Sequence, residues 1–312
     1  MGKIEAICVS KEKGLQKTEV DFALVKENHG IEGDAHAGNW HRQISFLDKE
    51  DIEEFKKKGV EISNGAFGEN FIVSGLKVNK MPVGSHLKCG EVIFEITQKG
   101  KTCHDKCVIF YKVGECIMPK VGVFAKVIHG GKISKGDKIE MIAREKPFPF
   151  QVAVITLSDK GFKGEREDIS GPTIAKKMKE LGYEVIEQIL LPDNKALLKN
   201  ELIRLADQRQ VDLILTTGGT GFSSRDVTPE ATLEVMDRNA PGIAEAIRAE
   251  SLKITPHAML SRGVSVIRKK TLIINLPGSP KAVEESMEVF INALPHALKN
   301  LRGEVSDCAR KD

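Results

Sequence analysis

Two different patterns of hydrophobic and polar positions divide the chain. In the second half, short, largely apolar runs alternate with segments of helical period. Gln151–Leu157, Tyr183–Leu190 and Val211–Thr216 are such runs, and Val264–Ile267 and Thr271–Leu276 continue them. Between the runs, Ser170-Gly171-Pro172 opens a helix that extends to Leu181 and stops at Gly182, and Asn194 opens a second that reaches Asp207. Further helices start at Pro229 and Gly242, and a long one is expected from Pro280 to about Leu301. Apolar strands alternating with helices predict an α/β domain whose mainly parallel sheet is covered by helices on both faces.

The first half has many short strands and few helices. Met1–Val9 reads as a first strand, and Val92–Thr97 and Asp137–Ile142 as later ones. Glycine turns such as Lys88-Cys89-Gly90-Glu91 and Ser134-Lys135-Gly136-Asp137 punctuate them. One helix is expected around Asp48 to Lys58, with Ile52 and Phe55 on its apolar side. This pattern predicts an all-β domain, a barrel or a sandwich. The change of pattern falls at Arg144-Glu145-Lys146-Pro147-Phe148-Pro149-Phe150, where two prolines make a stiff extended connector. The expected layout is a first domain over 1–144, a linker over 145–150 and a second domain over 151–312.

In open parallel sheets, ligands bind beyond the carboxyl ends of the strands. Here those ends carry Ser158-Asp159, Pro192-Asp193-Asn194, Gly218-Gly219-Thr220-Gly221 and Pro277-Gly278-Ser279-Pro280. The third is the most informative. Glycine removes the Cβ that would keep an anion away from backbone N–H groups, so the loop is a candidate phosphate cradle. Asp226 follows it as a candidate metal ligand, then Thr228 as the expected N-cap and Pro229 as the first helical residue. Taken singly, each feature has a plainer reading: the loop as a tight turn, Asp226 as a helix-start charge, Asp193 as a cap.

Composition narrows the function classes only a little. The chain has 312 residues, 41% hydrophobic and 29% charged, with a net charge of +3. That charge is too small to suggest nucleic acid as a partner. No apolar run approaches a membrane span, and Glu5 interrupts the N-terminal apolar segment, so a cytoplasmic protein is expected. Six cysteines are then expected as reduced thiols, three of them (Cys103, Cys107 and Cys116) close in sequence.

The motifs of the second half resemble a known family. Thr217-Gly218-Gly219-Thr220-Gly221, Arg225-Asp226-Val227-Thr228-Pro229-Glu230-Ala231-Thr232, the block Ser251–Arg262, and Leu276-Pro277-Gly278-Ser279-Pro280-Lys281-Ala282-Val283 occur in the order found in MogA and the gephyrin G-domain, the molybdopterin adenylyltransferases. The resemblance covers nearly all of residues 150–302. It implies adenylyl transfer from ATP to the terminal phosphate of molybdopterin, with loss of pyrophosphate. It also implies that Asp193 and Asp226 are catalytic and organise Mg²⁺ with ATP. Ser158, Asp159, the Gly218–Gly221 loop, Pro277, Gly278 and Ser279 would bind nucleotide or pterin. Ser251, Ser261 and Arg262 match molybdopterin-binding positions, and Arg262 would fork onto the pterin phosphate. A homotrimer is implied, and other proteins of molybdenum cofactor biosynthesis are admitted as partners. MoaB-like proteins share the glycine loop, so non-catalytic binding or carriage of the pterin is the alternative reading.

The first half resembles the MOSC domain of molybdenum cofactor sulfurases. The residues that carry this are Gly33–Gln43, Gly65-Ala66-Phe67-Gly68-Glu69-Asn70-Phe71 and Lys101-Thr102-Cys103-His104-Asp105-Lys106-Cys107. The resemblance covers about residues 3–142 and implies a β-barrel that binds molybdenum cofactor or carries sulfur as a persulfide on Cys103. Lys101, His104 and Lys106 would lower that thiol's pKa. His36, His41 and Arg42 would meet an anionic cofactor tail, with Cys107 as a further candidate. Cys103 as a buried small hydrophobe, or a zinc site of Cys103, His104, Cys107 and Cys116, are the competing readings.

Overall fold

A computed structural model describes residues 1–59, 61–101, 110–111, 114–144 and 147–304. The chain forms two compact units, Met1–Phe148 and Pro149–Asp312.

The first unit holds β1 (Gly2–Val9), β2 (Thr18–Val20), β3 (Phe22–Lys26), β4 (Gly30–Ile31), β5 (Ile44–Asp48), β6 (Phe71–Ser74), β7 (His86–Cys89), β8 (Val92–Lys99), β9 (Val123–His129), β10 (Gly131–Ser134) and β11 (Lys138–Ile142). The order β11-β7-β8-β9-β5-β6-β1 closes through pairing of β11 with β1, which makes a barrel. The barrel is filled by side chains such as Ile4, Leu87 and the mutually packed Phe46, Phe71 and Phe94. A register shift between Ile4 and Ala6 changes the alternation of β1. Ile4 and Ile7 therefore join the interior, while Ala6 and Cys8 belong to a second apolar layer with Ile52 and Phe55 of the helix Lys49–Lys56. With both faces covered, β5 and the second half of β1 lack the polar alternation of a half-solvated strand, which Lys3 and Glu5 keep in the first half of β1.

This barrel buries charges that its hydrophobic pattern does not reveal. The side chains of Lys17 and Asp34 are at most 1% exposed and form an ion pair. Burial would push the Asp34 carboxyl up, but donors from His36 and Lys17 hold it below the ordinary range. Glu69 accepts the N–H groups of Gly65 (2.8 Å) and Phe67 (3.0 Å), yet burial still pushes it up to about 7. Asp48 accepts from Val78 and Asn79 and is pushed up to about 6, again by burial. In the window between the ordinary carboxylate range and these values, the folded state holds protons that the unfolded chain has released. The first unit should therefore lose stability as pH rises from about 5 to about 7. Denaturant midpoints measured across this range should fall for the wild type and flatten in Glu69→Gln. A midpoint that climbs over the same range would contradict the buried-acid account.

The second unit holds β12 (Gln151–Leu157), β13 (Glu184–Leu191), β14 (Leu213–Thr217), β15 (Arg238–Asn239), β16 (Ser265–Arg268) and β17 (Thr271–Leu276), in the order β13-β12-β14-β17-β16-β15. The first four in that order are parallel, and β16 and β15 continue antiparallel. Alternate strand residues serve opposite faces. Val152, Val154, Leu213 and Leu215 pack with the helices Ser170–Glu180 and Pro280–Phe290. Ala153, Ile155, Leu157 and Ile214 pack with Lys195–Ile203 and Thr228–Glu234. β12 is followed in sequence by β13 on one side and then β14 on the other, so the strand order reverses at β12. A crevice is expected at such a reversal.

Two expected elements differ. The long C-terminal helix is two, Pro280–Phe290 and Leu294–Arg302. Pro295 has no N–H to give, and its ring would meet the carbonyl of Ile291, so a continuous helix is blocked. The helix expected from Asn194 is α-helical over Lys195–Ile203 and widens to a π turn over Arg204–Arg209. No helix among the described residues is long and apolar enough to cross a membrane.

Candidate active site

The crevice lies at the carboxyl ends of the strands. It is a cavity of about 660 Å³ whose lining includes Ser158 and Asp159 after β12, Asp193 after β13, Gly218 and Gly219 after β14, and Gly278 and Ser279 after β17, with Asp226 beside them. Eight of the expected site residues thus share one wall. Ser158 caps the short helix Asp159–Phe162 by accepting from Gly161, and also accepts from Arg166 at 2.9 Å. Asp159 and Asp193 clasp each other: the Asp193 N–H donates to Asp159 Oδ1 (3.0 Å) and the Asp159 N–H to Asp193 Oδ2 (3.1 Å). The remaining Asp159 oxygen accepts Arg225 Nε at 3.0 Å and Nη2 of the same guanidinium. Those hydrogen bonds hold Asp159 below the ordinary range. Burial pushes Asp193 upward against the Asp159 N–H, and the neighbouring Asp159 and Asp226 carboxylates add to the rise.

The glycine loop is held by backbone bonds. Gly218 (φ +93°) and Gly219 (φ +63°) adopt left-handed conformations. The Gly218 N–H is used on the Leu276 carbonyl at 3.3 Å, so it is not a free donor. The N–H groups of Gly219, Thr220 and Gly221 have no acceptor among the described residues. Thr228 is not the N-cap. It is the first residue of the helix Thr228–Glu234, and its hydroxyl donates to the Gly218 carbonyl at 2.8 Å. Its N–H donates to Gly219 O, so this threonine fastens the loop to the helix. Asp226 closes the next turn by accepting the Ser223 N–H at 2.9 Å.

A second cleft of about 500 Å³ is lined by Lys195, Phe222–Val227 (Arg225 excepted), Glu230 and Arg262. Asp226 and Ser223 border both clefts. Arg262 is engaged with the loop itself. Its Nε donates to Gly221 O (2.7 Å), its Nη2 to Asp226 O (2.6 Å), and its Nη1 pairs with Glu230. Ser251 is half-buried on the helix Gly242–Leu252, and Ser261 accepts from Gly263 at 3.4 Å; neither lines the two clefts. The Pro277 carbonyl accepts the Thr217 hydroxyl at 2.6 Å, which ties the end of β14 to the turn after β17. Sequence reasoning overlooked Arg225, Arg166 and Ser170 as crevice residues. Arg225 adjoins Asp226 and could have been found from that neighbour, whereas Arg166 sits in a polar run without periodicity.

Asp193 uses Oδ2 and Asp226 uses Oδ2 in these hydrogen bonds, which leaves one oxygen on each for a ligand. Hard carboxylate oxygens suit Mg²⁺, which takes one or two of them and fills its shell with phosphate oxygens and water. Among the described residues, no three His, Cys, Asp or Glu side chains form a metal cage by themselves.

In the first unit, His36 stands at the Lys17–Asp34 pair, with Nδ1 at 3.4 Å from Lys17 Nζ. Arg42 stacks over Trp40 at 4.9 Å, and His41 bonds Gln98 at 3.0 Å. Cys103, His104, Lys106 and Cys107 lie outside the described residues. Cys8 and Cys89 are buried strand residues whose thiols burial pushes up to about 12, and Cys116 packs at the edge of the outer apolar layer.

The arrangement defines an α/β domain that gathers carboxylates and free N–H donors at a strand-order reversal, the setting of a phosphate-handling enzyme. Comparison with known proteins makes this specific. Residues 153–296 match the model of the probable molybdopterin binding domain, and residues 33–140 match that of the MOSC domain. The molybdopterin adenylyltransferase of Helicobacter pylori strain J99 is 39% identical over 163 residues, which cover 52% of this chain and 93% of that protein. The enzyme of the same name from Escherichia coli K12 is 42% identical over 141 residues, 44% of this chain and 72% of that one. Among solved structures, the molybdopterin biosynthesis enzyme MoaB of Thermus thermophilus is 49% identical, covers 49% of this chain and 97% of its own, and has a TM-score of 0.48. The chain belongs to the molybdopterin adenylyltransferase family through its C-terminal half and carries a MOSC domain in its N-terminal half.

Proposed function

We propose that the C-terminal domain transfers the adenylyl group of ATP to the terminal phosphate of molybdopterin, within molybdenum cofactor biosynthesis. An oxygen of the pterin phosphate attacks the α-phosphorus of ATP. The bond from that phosphorus to the bridging α–β oxygen breaks, and its electron pair leaves with pyrophosphate. The nucleophile is already an anion, so no strong general base is needed. The task is to bring two anions into line, which calls for positioning and electrostatic stabilisation.

The observation that carries this reading is that Asp226 borders both clefts, so groups bound in the two clefts would meet at its carboxylate. In this reading the nucleotide occupies the larger crevice and the pterin the smaller. The N–H groups of Gly219 to Gly221 bind phosphate oxygens. Asp193 and Asp226 hold Mg²⁺, which neutralises polyphosphate charge when bound. Arg262 fixes the loop and Glu230 holds Arg262 in place. The N-terminal domain is assigned cofactor binding or sulfur carriage, with Cys103, His36 and Arg42 as its candidate groups.

The test is direct. Incubated with Mg·ATP and molybdopterin, the full chain should release pyrophosphate and form adenylylated pterin in equal amounts. Pterin binding without pyrophosphate would establish a carrier instead.

A further inference from the structure

The crevice is lined by five acidic side chains and only three basic ones. A polyphosphate entering it needs cationic donors from the protein as well as any ion it brings. The basic groups are not equivalent. Lys160 is an exposed ammonium on the short helix Asp159–Phe162, without the planar donor fork of a guanidinium, and Arg166 donates to the neutral Ser158 hydroxyl at 2.9 Å. Arg225 differs from both. Its side chain is 62% exposed at the crevice, and it holds a single oxygen of Asp159 through Nε and Nη2. Its Nη1 has no partner among the described residues. An exposed pair of this kind contributes little stability and is readily exchanged.

We infer that Arg225 is the nucleotide-phosphate clamp of this site, parked on Asp159 until ATP arrives. The inference rests on the adenylyltransferase reading and extends it to a residue and an exchange of partners. In the empty site the guanidinium neutralises Asp159 beside Asp193. When polyphosphate enters, the same planar donor set turns to phosphate oxygens, which it matches in geometry. Asp159 thus acts as a competing internal anion that sets how much of Arg225's attraction the nucleotide feels.

A double-variant cycle on the full chain tests this, with ATP in EDTA as the binding probe and turnover with Mg·ATP and molybdopterin as a second readout. Arg225→Ala should weaken metal-free ATP binding by about 10- to 100-fold, the loss of charge-assisted hydrogen bonds. It should raise KM for ATP and leave KM for molybdopterin unchanged. Asp159→Asn should tighten metal-free ATP about two- to fivefold by releasing the guanidinium. That gain should disappear in Asp159→Asn/Arg225→Ala. If it survives at full size in the double variant, Asp159 merely repels the nucleotide and the parking model is overturned. An Arg225→Ala protein that binds ATP like the wild type, or whose defect lies in KM for molybdopterin, overturns the clamp. Absence of pyrophosphate from the wild-type protein would instead refute the adenylyltransferase reading, a separate result on the same assay.

Discussion

Asp226→Ala should lower adenylyl transfer by at least about 100- to 1000-fold, the loss typical when a group that stabilises developing charge is removed. Pterin binding should be retained, because the second cleft keeps Lys195, Phe222 and the Arg262–Glu230 pair. The carboxylate has two duties. One oxygen accepts the Ser223 N–H and shapes the turn, and the other is left for the ligand. Alanine removes both, so its effect alone is ambiguous. Asp226→Asn separates them, since the amide oxygen still accepts from Ser223 while the charge is gone. Asn should therefore be nearly as inactive as Ala while melting like the wild type. Pyrophosphate release, thermal denaturation and titration with molybdopterin measure the three quantities. Normal turnover by the Asn variant would remove the charge of Asp226 from the mechanism.

How far such a site can be read from sequence depends on which interactions leave a trace in residue order. The central strands of the second domain are legible because both of their faces are buried, so Gln151–Leu157 is apolar at five of its seven positions. The strand-end rule then located Ser158, Asp193, Gly218 and Gly278 without any contact information, and all four line the crevice. Thr228 was misjudged because a hydroxyl before Pro229 looks like a cap, and nothing local shows that the Gly218 carbonyl would claim it. The partnership of Arg225 with Asp159 spans 66 residues and has no periodic signature. The same holds in the barrel, where nothing local to Lys17 or Glu69 shows that they are buried with their partners, Asp34 and the Gly65 and Phe67 N–H groups. Pattern reports burial of apolar side chains. It does not report the satisfaction of buried charge, which depends on contacts distant in sequence.

Gly218→Ala should be the most damaging small substitution in the loop. A Cβ at this position would lie well under 3.0 Å from the Leu157 carbonyl oxygen, at the end of β12. The backbone cannot move aside easily. Its N–H is bonded to Leu276 O at the end of β17, and its carbonyl accepts the buried Thr228 hydroxyl. Left-handed φ alone costs an alanine roughly 1 kcal/mol, and overpacking against fixed backbone adds about 1–3 kcal/mol. For a domain of this size that sum corresponds to a fall of roughly 5–15 °C in the melting transition of the C-terminal unit. Gly164→Ala provides the control for conformation without crowding, because Gly164 has φ +73° and nothing within 4 Å of its would-be Cβ. It should cost only the first increment and keep full activity. Gly218→Ala, in contrast, should lose ATP binding along with stability, since displacing the loop moves the N–H groups of Gly219 to Gly221. Equal melting temperatures for the two variants would mean that the loop yields to a methyl group, and the rigid-cradle account of phosphate binding would fail with it.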